Sequence, residues 1–302
     1  MDRLPALQRP RPLEPGARVG LVAPAGPLRE TTDLERAIEN ARSFGWQPVA
    51  GDHVLDRRAY LAGRDEDRLA DLDRFARDDA IDGIWCIRGG YGAMRLLDAL
   101  DYDAWRRHPK ALIGYSDVTA LHAAIGCRAG LVTYHGPTAR AVLTPFSRDA
   151  LMGAVTNSHA CGGAPGATIL RQGRARGRLV GGNLALVAAL AGTPFALPLD
   201  GAILVLEDVN ESVYRLDRMF TQLRLSGALR RVAGLAFGAF TDIPDNDVLE
   251  ARPLAELLEE VADWCDVPCL ANIPMGHIDD QWTIPLGATA VLDADARTLL
   301  IE

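Results

Sequence analysis

The sequence contains a single lysine, and none of its segments is strongly basic. Lys110 is the only lysine among 32 basic residues, and the arginines form neither a basic run nor a stripe interleaved with aromatic residues. A nucleic-acid partner would require such a concentrated positive surface. The formal net charge is −8 instead. The chain is therefore predicted not to bind nucleic acid, and an anionic ligand would need a local arginine.

Long apolar runs are also missing. No segment approaches the roughly 18 to 20 continuous apolar residues that a membrane span requires. The first residues, "MDRLPALQRPRPLEPG", are interrupted by prolines and lack the apolar region of a signal peptide. These features predict a protein without membrane association that works in the cytoplasm.

Cysteine usage argues against disulfides and against a metal centre. The five cysteines are odd in number and scattered, which is typical of reduced thiols. Cys265 and Cys269 are four residues apart, but no second cysteine or histidine pair accompanies them. The sequence also lacks an H-E-x-x-H motif. We therefore expect neither a metal ion nor another cofactor.

Short apolar runs alternate with amphipathic segments in the first half of the 302-residue chain. The runs "RVGLV", "IWCI", "ALIGY" and "LVTYH" are predicted strands, and segments of helical periodicity separate them, including "AMRLLDAL" (93–100). This alternation predicts an α/β fold with a doubly wound parallel sheet and helices on both faces. Such sheets bind ligands outside the carboxyl ends of their strands.

The sequence changes character around "TNSHACGGAPGA", which is rich in Gly and Ala and has little periodicity. We therefore predict an N-terminal domain of residues 1–160 and a C-terminal domain of residues 161–302. The second domain is predicted to be mixed. It contains the strand "AILVLEDV", a helix in "GGNLALVAALAG" that is capped by Asn183, and a β-hairpin in the last 17 residues.

The stretch "ALIGYSDVTALH" (111–122) allows two interpretations of Ser116. A strand, a sharp turn and a helix in succession can expose a nucleophilic serine at the top of an α/β sheet. Val118, however, stands where the motif G-x-S-x-G has its second glycine. Alternatively, the Ser116 hydroxyl caps the first turn of the helix. This stretch taken alone favours the capping interpretation.

Two further groups of candidate residues follow predicted strands. The turn "RGGYG" (88–92) can bring its backbone close to a ligand, or it can be only a tight connection. Arg88 is a candidate for binding a carboxylate, because a guanidinium group binds carboxylates through two hydrogen bonds. Glu207 ends the apolar run "ILVLE", where a carboxylate can orient a catalytic histidine. A polar loop after a strand is the simpler interpretation of Glu207 on its own.

Three of the six histidines have some sequence context for a partner of Ser116. His277 lies in a loop punctuated by Gly and Pro, and such loops often carry function. His135 lies at a strand end in "TYHGP". His122 falls near the apolar stripe of the helix after Ser116, where a packed histidine is expected. Spacing does not choose between them, because residues of a catalytic triad meet in space and not in sequence.

Taken together, these stretches resemble the LD-carboxypeptidase family of serine peptidases, which trim murein tetrapeptides. The likeness includes, in order, "VAPAGP", "IRGGYGAMRLL", "IGYSDVTALH", "TYHGP", "GGNL", "GTPF", "ILVLEDVNESVYRLDRMFTQL", "MGH" and "TIPLGATAVLD". The resemblance implies an N-terminal flavodoxin-like domain and a C-terminal domain with a partly barrel-like sheet. Members of this family are often homodimers, so the resemblance also implies a homodimer.

The resemblance implies a Ser-His-Glu triad across the two domains. The serine would attack the scissile carbonyl, the histidine would carry the proton, and the glutamate would orient the histidine. The glycine turn and the helix start suggest an oxyanion hole, and the arginine before the turn suggests a site for the substrate carboxylate. The residues are the catalytic Ser116, His277 and Glu207, the oxyanion-hole N–H groups of Gly90 and Asp117, and the substrate-binding Arg88 and Gly89.

Three function classes remain open from the sequence. The first is a serine LD-carboxypeptidase that removes the terminal D-Ala from murein tetrapeptide in peptidoglycan recycling. The second is the related branch that hydrolyses microcin-type peptidyl nucleotides and gives toxin immunity. That branch tends to have a longer segment between serine and glutamate, and the interval here, 207 − 116 = 91 residues, favours the first class. The third is a ligand-binding module without catalysis.

Overall fold

The computed structural model of the chain describes residues 8–156, 161–244 and 252–302. Its strands are β1 (Arg18–Val22), β2 (Gln47–Ala50), β3 (Gly83–Cys86), β4 (Ala111–Gly114), β5 (Thr133–His135), β6 (Cys161–Gly163), β7 (Thr168–Arg171), β8 (Arg174–Asn183), β9 (Ile203–Val209), β10 (Gly234–Thr241), β11 (Cys269–Ala271), β12 (Ile284–Leu286), β13 (Thr289–Asp293) and β14 (Thr298–Ile301). Its α-helices are α1 (Thr31–Ser43), α2 (Asp65–Arg77), α3 (Tyr102–Arg107), α4 (Thr119–Ala129), α5 (Pro145–Val155), α6 (Leu184–Leu190), α7 (Val213–Leu225) and α8 (Leu254–Cys265).

The first sheet has the strand order β12-β5-β4-β3-β1-β2. Strands β1 to β5 pair in parallel, and β12 adds antiparallel to β5. The order 2-1-3-4-5 of the parallel strands is that of a flavodoxin-like sheet, which confirms the prediction for this half. Strand β12, which comes from the last tenth of the chain, was not predicted from the sequence.

Strand β3 shows how this sheet is covered on both faces. Its four residues are all buried. Ile84 and Cys86 pack in one apolar cluster with Phe75 of α2, whereas Trp85 packs in another with Ala37 of α1. Successive side chains of a strand point to opposite faces, so a continuous apolar run suits a strand with helices on both sides.

The second sheet has the order β6-β14-β13-β8-β9-β10-β11-β7 and curls into a half-barrel. Strands β8 to β11 are parallel and the outer strands are antiparallel, so the sheet is mixed, as predicted. The Asn183 side chain caps α6 by accepting from Leu186 N–H, and β13 and β14 form the predicted hairpin. No helix within the described ranges is long and apolar enough to cross a membrane.

One prediction about local structure was wrong. The segment "AMRLLDAL", predicted as a helix, contains only the 3₁₀ turn Ala93–Leu96, and a new helix begins after Asp101, whose side chain caps it by accepting from Ala104 N–H. Before the predicted domain boundary lies the regular helix α5, which the Thr144 side chain caps by accepting from Ser147 N–H. The domain boundary predicted after residue 160 adjoins residues 157–160, which lie outside the described residues.

Candidate active site

Ser116 follows β4 in a strained backbone conformation. Tyr115 is still extended, with φ −149° and ψ −170°, but Ser116 has φ +64° and opens a 3₁₀ turn, Ser116–Val118, that leads into α4. A positive φ is unfavourable for a residue with a side chain and costs about 1–3 kcal/mol. Sharp strand-to-helix turns of this kind expose the nucleophile in α/β hydrolases. Tyr115, not Ser116, occupies the cap position, so the capping interpretation of Ser116 does not fit this turn.

The glycine turn after β3 lies directly against Ser116. A Cβ atom placed on Gly89 would be 2.9 Å from Ser116 Cβ and 3.2 Å from its Oγ. Gly90 has φ +110°, and Gly26, after β1, donates its N–H to the Gly89 carbonyl at 3.0 Å. Because β1, β3 and β4 are neighbours, the segments after their carboxyl ends meet at one edge of the sheet.

The Asp117 side chain connects the turn at Ser116 to the end of the glycine turn at residues 88–92. Its carboxylate is buried and accepts a hydrogen bond from Ala93 N–H at 2.7 Å. Burial raises the pKa of Asp117 to about 6, and hydrogen bonds from the N–H groups of Ala93 and Gly92 oppose that rise. The side chain of Asp117 therefore has a structural role in the turn at Ser116, independent of the role proposed for its backbone N–H.

Glu207 and His277 form a hydrogen-bonded pair. Nδ1 of His277 lies 2.7 Å from Oε2 of Glu207, whose side chain is fully buried, while 20 % of the His277 side chain is exposed. A Cβ on Gly276 would be 2.9 Å from Glu207 Cβ, and Gly276 has φ +114°. A glycine before His277 therefore lets this loop approach the carboxylate closely.

Tyr115 connects this pair to the serine turn. Its ring packs against the His277 ring with centroids 4.7 Å apart. Burial, and then the negative charge of Glu207, raise the pKa of Tyr115. The structure thus brings the Glu207–His277 pair against the residue that precedes Ser116. Tyr115 was not among the residues predicted from the sequence, although its place beside Ser116 in "GYSD" was a usable signal.

The two competing histidines lie buried beneath the site. His122 donates from Nε2 to the Gly114 carbonyl at 2.8 Å, and burial lowers its pKa to about 4. His135 is fully buried, and neither ring nitrogen has a hydrogen-bond partner among the described residues. Burial also holds the pKa of His135 well below its usual value. Of these three histidines, His277 alone pairs with a carboxylate in the described part of the chain.

The acidic residue after Glu207 has a different role. Asp208 is buried and accepts from Asn183 Nδ2 and from Ala185 N–H, both at 2.9 Å. Burial raises its pKa to about 6. Asp208 therefore holds the start of α6 against β9, and Glu207 is the residue of this acidic run that reaches His277.

Arg88 is half-buried beside the glycine turn. One of its terminal nitrogens, Nη1, donates to the Pro27 carbonyl. Burial, followed by the positive charges of neighbouring arginines, lowers the pKa of Arg88. A Cβ on Gly26 would be 3.6 Å from the guanidinium carbon of Arg88, and one on Gly90 would be 3.8 Å from its Nε. The guanidinium group therefore lies beside Gly26 and Gly90.

One group of side chains in the described ranges has the geometry to hold a metal ion. It consists of His53, Asp56 and Asp67, whose ligand atoms all lie within 4.8 Å of one another. The group is partly exposed, and Asp67 already binds Arg64. It shares no residue with the Ser116, Glu207 and His277 set. No sequence motif predicted this group of three residues.

Comparison with known proteins identifies the family. The model of the LD-carboxypeptidase N-terminal domain matches residues 19–136, and that of the C-terminal domain matches residues 176–292. A "putative carboxypeptidase" of Streptomyces coelicolor is 43% identical over 98% of this chain and 96% of its own length. The murein tetrapeptide carboxypeptidase of Pseudomonas aeruginosa is 36% identical over 92% of this chain and 94% of its own.

Solved structures agree with this assignment. The microcin C7 self-immunity protein MccF superposes with a TM-score of 0.88 at 25% identity, over 97% of both chains. The two proteins therefore share a fold over 97% of this chain. With both domain models matched and relatives above 30% identity over nearly the full length, this chain belongs to the LD-carboxypeptidase family of peptidases.

Proposed function

We propose that the protein is a serine LD-carboxypeptidase that removes the terminal D-Ala from murein tetrapeptide. The observation that carries the proposal is the Glu207–His277 hydrogen bond, packed through Tyr115 against the strained turn of Ser116. Murein tetrapeptide is named as the substrate of the Pseudomonas aeruginosa relative, and this supports the choice of substrate.

In the proposed mechanism, Ser116 attacks the carbonyl carbon of the scissile bond. His277 accepts the serine proton and then donates it to the leaving amine. Glu207 holds the imidazole with Nδ1 toward the carboxylate, which leaves Nε2 as the basic nitrogen. Water then attacks the acyl-enzyme, again with His277 as the base, and releases the shortened peptide.

The tetrahedral intermediate carries a negative oxygen, which we propose is bound by the backbone N–H groups of Gly90 and Asp117. The contact between Gly89 and Ser116 supports this assignment, because it places the glycine turn beside the reacting atom. Arg88, next in the chain to Gly89, is our candidate for the free carboxylate of the substrate, and Gly89 for close approach of the substrate backbone.

Further parts of the proposal come from the sequence, and the homodimer among them comes from the family resemblance. We propose that the enzyme acts in the cytoplasm in peptidoglycan recycling, that it is a homodimer, and that it needs no metal ion or cofactor. We also propose that residues 1–160 form the domain with the nucleophile and residues 161–302 the domain with the glutamate and histidine. Strand β12 pairs with β5, so the chain returns to the first sheet near its end.

The alternative is hydrolysis of microcin-type peptidyl nucleotides, which the likeness to MccF favours. Mass spectrometry after incubation with murein tripeptide, tetrapeptide, pentapeptide and a peptidyl nucleotide separates the two. We expect release of D-Ala from the tetrapeptide only, with and without EDTA. Cleavage of the peptidyl nucleotide with no effect on the tetrapeptide would establish the alternative. Ser116→Ala serves as the inactive control.

A further inference from the structure

The loop between β1 and α1, taken together with the first turn of α1 (residues 27–33), lies close to several arginines. Arg57 Nη2 donates to the Leu28 carbonyl at 3.2 Å. Arg140 Nη1 lies 3.3 Å from Asp33 Oδ1, while the other carboxylate oxygen of Asp33 accepts from the backbone N–H of Arg29 at 2.9 Å. Arg88 also binds this loop, at the Pro27 carbonyl. We call the four residues Arg29, Arg57, Arg88 and Arg140 the arginine cluster.

The arginine cluster lies one glycine turn from the proposed nucleophile. Gly26, just before the loop, donates to the Gly89 carbonyl, and Gly89 touches Ser116. A Cβ on Gly26 would be 3.6 Å from the guanidinium carbon of Arg88. Arg88 therefore lies beside the turn that touches Ser116, and Arg140, Arg29 and Arg57 are close enough for their charges to act on Arg88. Of these four arginines, only Arg88 was foreseen from the sequence.

Positive charge is in excess in the cluster. Burial is the largest cause that lowers the pKa of Arg88. The positive charges of Arg140, Arg29 and Arg57 lower this pKa further, and the negative charge of Asp33 opposes them. Asp33 is nearly buried and is already bound by the cluster. Glu30 lies on the same loop, and its carboxylate accepts from Thr32 Oγ1.

Arg140 and Arg88 are partly buried, whereas Arg57 is exposed. The side chain of Arg140 is 29 % exposed, and its Nε is buried without a hydrogen-bond partner among the described residues. A guanidinium group held in one place by Asp33 is prepared to bind a planar anion at low entropic cost. Partial burial strengthens such a bond relative to bulk water.

We infer that the arginine cluster is a specificity site for a second carboxylate of the peptide substrate, in addition to the C-terminal carboxylate. Arg88, nearest the glycine turn, takes the C-terminal group, and Arg140 and Arg57 take the second one. The substrate class is thus a peptide with at least two free carboxylates within a few residues of the cleaved bond. The inference rests on the proposed carboxypeptidase activity and names its substrate preference.

The test uses two tetrapeptides that differ only in one internal carboxyl group. This group is free in the first peptide, called the diacid, and amidated in the second, called the amidated peptide. Binding to the Ser116→Ala protein is measured by calorimetry, with Arg140→Gln and Arg57→Gln added singly. Arg176→Gln is the matched control, because Arg176 forms an exposed ion pair with Glu302 in the second sheet. Arg140→Lys tests whether charge alone suffices if Arg140→Gln perturbs Asp33.

We expect Arg140→Gln to weaken binding of the diacid about 10- to 100-fold and to change binding of the amidated peptide by less than about threefold. Arg57→Gln should act in the same direction with a smaller effect, and Arg176→Gln should have none. Arg140→Lys should retain part of the discrimination. Equal losses for both peptides, or no loss for either, would overturn the inference.

Two further readouts separate this inference from the proposed activity. If wild type fails to release D-Ala while the Ser116→Ala protein still discriminates the diacid through Arg140, the proposed function fails and the carboxylate site stands. If AMP binding, and not diacid binding, depends on Arg140 and Arg57, the cluster serves a phosphate and the inference is wrong.

Discussion

His277 and Glu207 are 70 residues apart in the sequence, yet a hydrogen bond of 2.7 Å joins Nδ1 of the one to Oε2 of the other. The carboxylate is wholly buried and the imidazole partly exposed, so the pair is anchored at one end and accessible at the other. A neutral imidazole that donates from Nδ1 has its basic nitrogen at Nε2, which is the tautomer that general-base catalysis requires.

Glu207→Gln should keep the fold and lose most activity. Glutamine is nearly the same size, but its amide NH₂ can face Nδ1 and favour the wrong tautomer. We expect kcat to fall by about 10³- to 10⁴-fold, measured as D-Ala release under saturating tetrapeptide. The thermal unfolding midpoint serves as the folding control. A variant with more than a tenth of wild-type kcat would remove Glu207 from the mechanism.

His277 and His135 offer a direct comparison. His277→Gln should lower kcat/KM by at least about 10³-fold, because the base is lost. His135→Gln should leave it within about tenfold, since His135 is buried and makes no hydrogen bond to Glu207 in the described part of the chain. Steady-state kinetics on both variants check this prediction. The reverse result would show that the base has been misassigned.

The positive φ of Ser116 predicts a difference in stability between two inactive variants. Glycine adopts φ +64° without strain, whereas alanine at this position keeps the strain that serine has. Ser116→Gly should therefore have a free energy of unfolding about 0.5–1 kcal/mol above that of Ser116→Ala, even after the greater entropy of unfolded glycine is included. Urea unfolding of both variants measures the difference. A more stable alanine variant would contradict the strained turn.

The contact of Gly89 with Ser116 predicts that a methyl group there displaces the nucleophile. Gly89→Ala should lower kcat/KM by about 10²-fold, because the added Cβ would lie 2.9 Å from Ser116 Cβ. Gly126→Ala in α4 is the matched control. Its Cβ would meet only the Leu131 carbonyl at 3.9 Å, so activity should be unchanged. Similar kinetics for the two variants would argue against a close Gly89–Ser116 contact.

The raised pKa of Asp117 predicts a pH-dependent effect of Asp117→Asn. The folded protein binds the Asp117 proton up to about pH 6, but the unfolded chain releases it near 3.8. As pH rises from about 3.8 to about 6, Asp117 therefore lowers the free energy of unfolding of the wild-type protein. The variant should gain stability relative to wild type by up to about 3 kcal/mol between pH 4 and pH 7. A pH-independent difference in urea unfolding would contradict the raised pKa.

The sequence predicted the parts of the fold that local patterns encode. Strand and helix alternation predicted the doubly wound parallel sheet, whereas its flavodoxin-like type came from the family resemblance. Asn183 was correctly predicted as a cap because capping is a local interaction. Strand β12 was missed, since a three-residue strand has almost no periodicity and its partner β5 lies about 150 residues earlier. Pairing at that distance is decided by tertiary packing.

The same distinction applies to the site. Ser116, Glu207 and His277 were predicted from a family resemblance, because no local spacing links a serine to residues 91 and 161 positions later. Arg140 had no sequence signal at all. Its relevance comes from Asp33, 107 residues earlier, which holds its guanidinium group at the loop beside Arg88. Tyr115 could have been noticed, since it stands next to the predicted nucleophile.

The most direct test of the central claim is covalent labelling of the nucleophile together with product analysis. The protein is treated with a fluorophosphonate probe, digested and sequenced by mass spectrometry, and D-Ala release from tetrapeptide is measured in parallel. We predict a label on Ser116 in wild type, strongly reduced labelling in His277→Gln, and parallel loss of D-Ala release. Continued D-Ala release after Ser116→Ala, or a label on another serine that abolishes activity, would contradict the account.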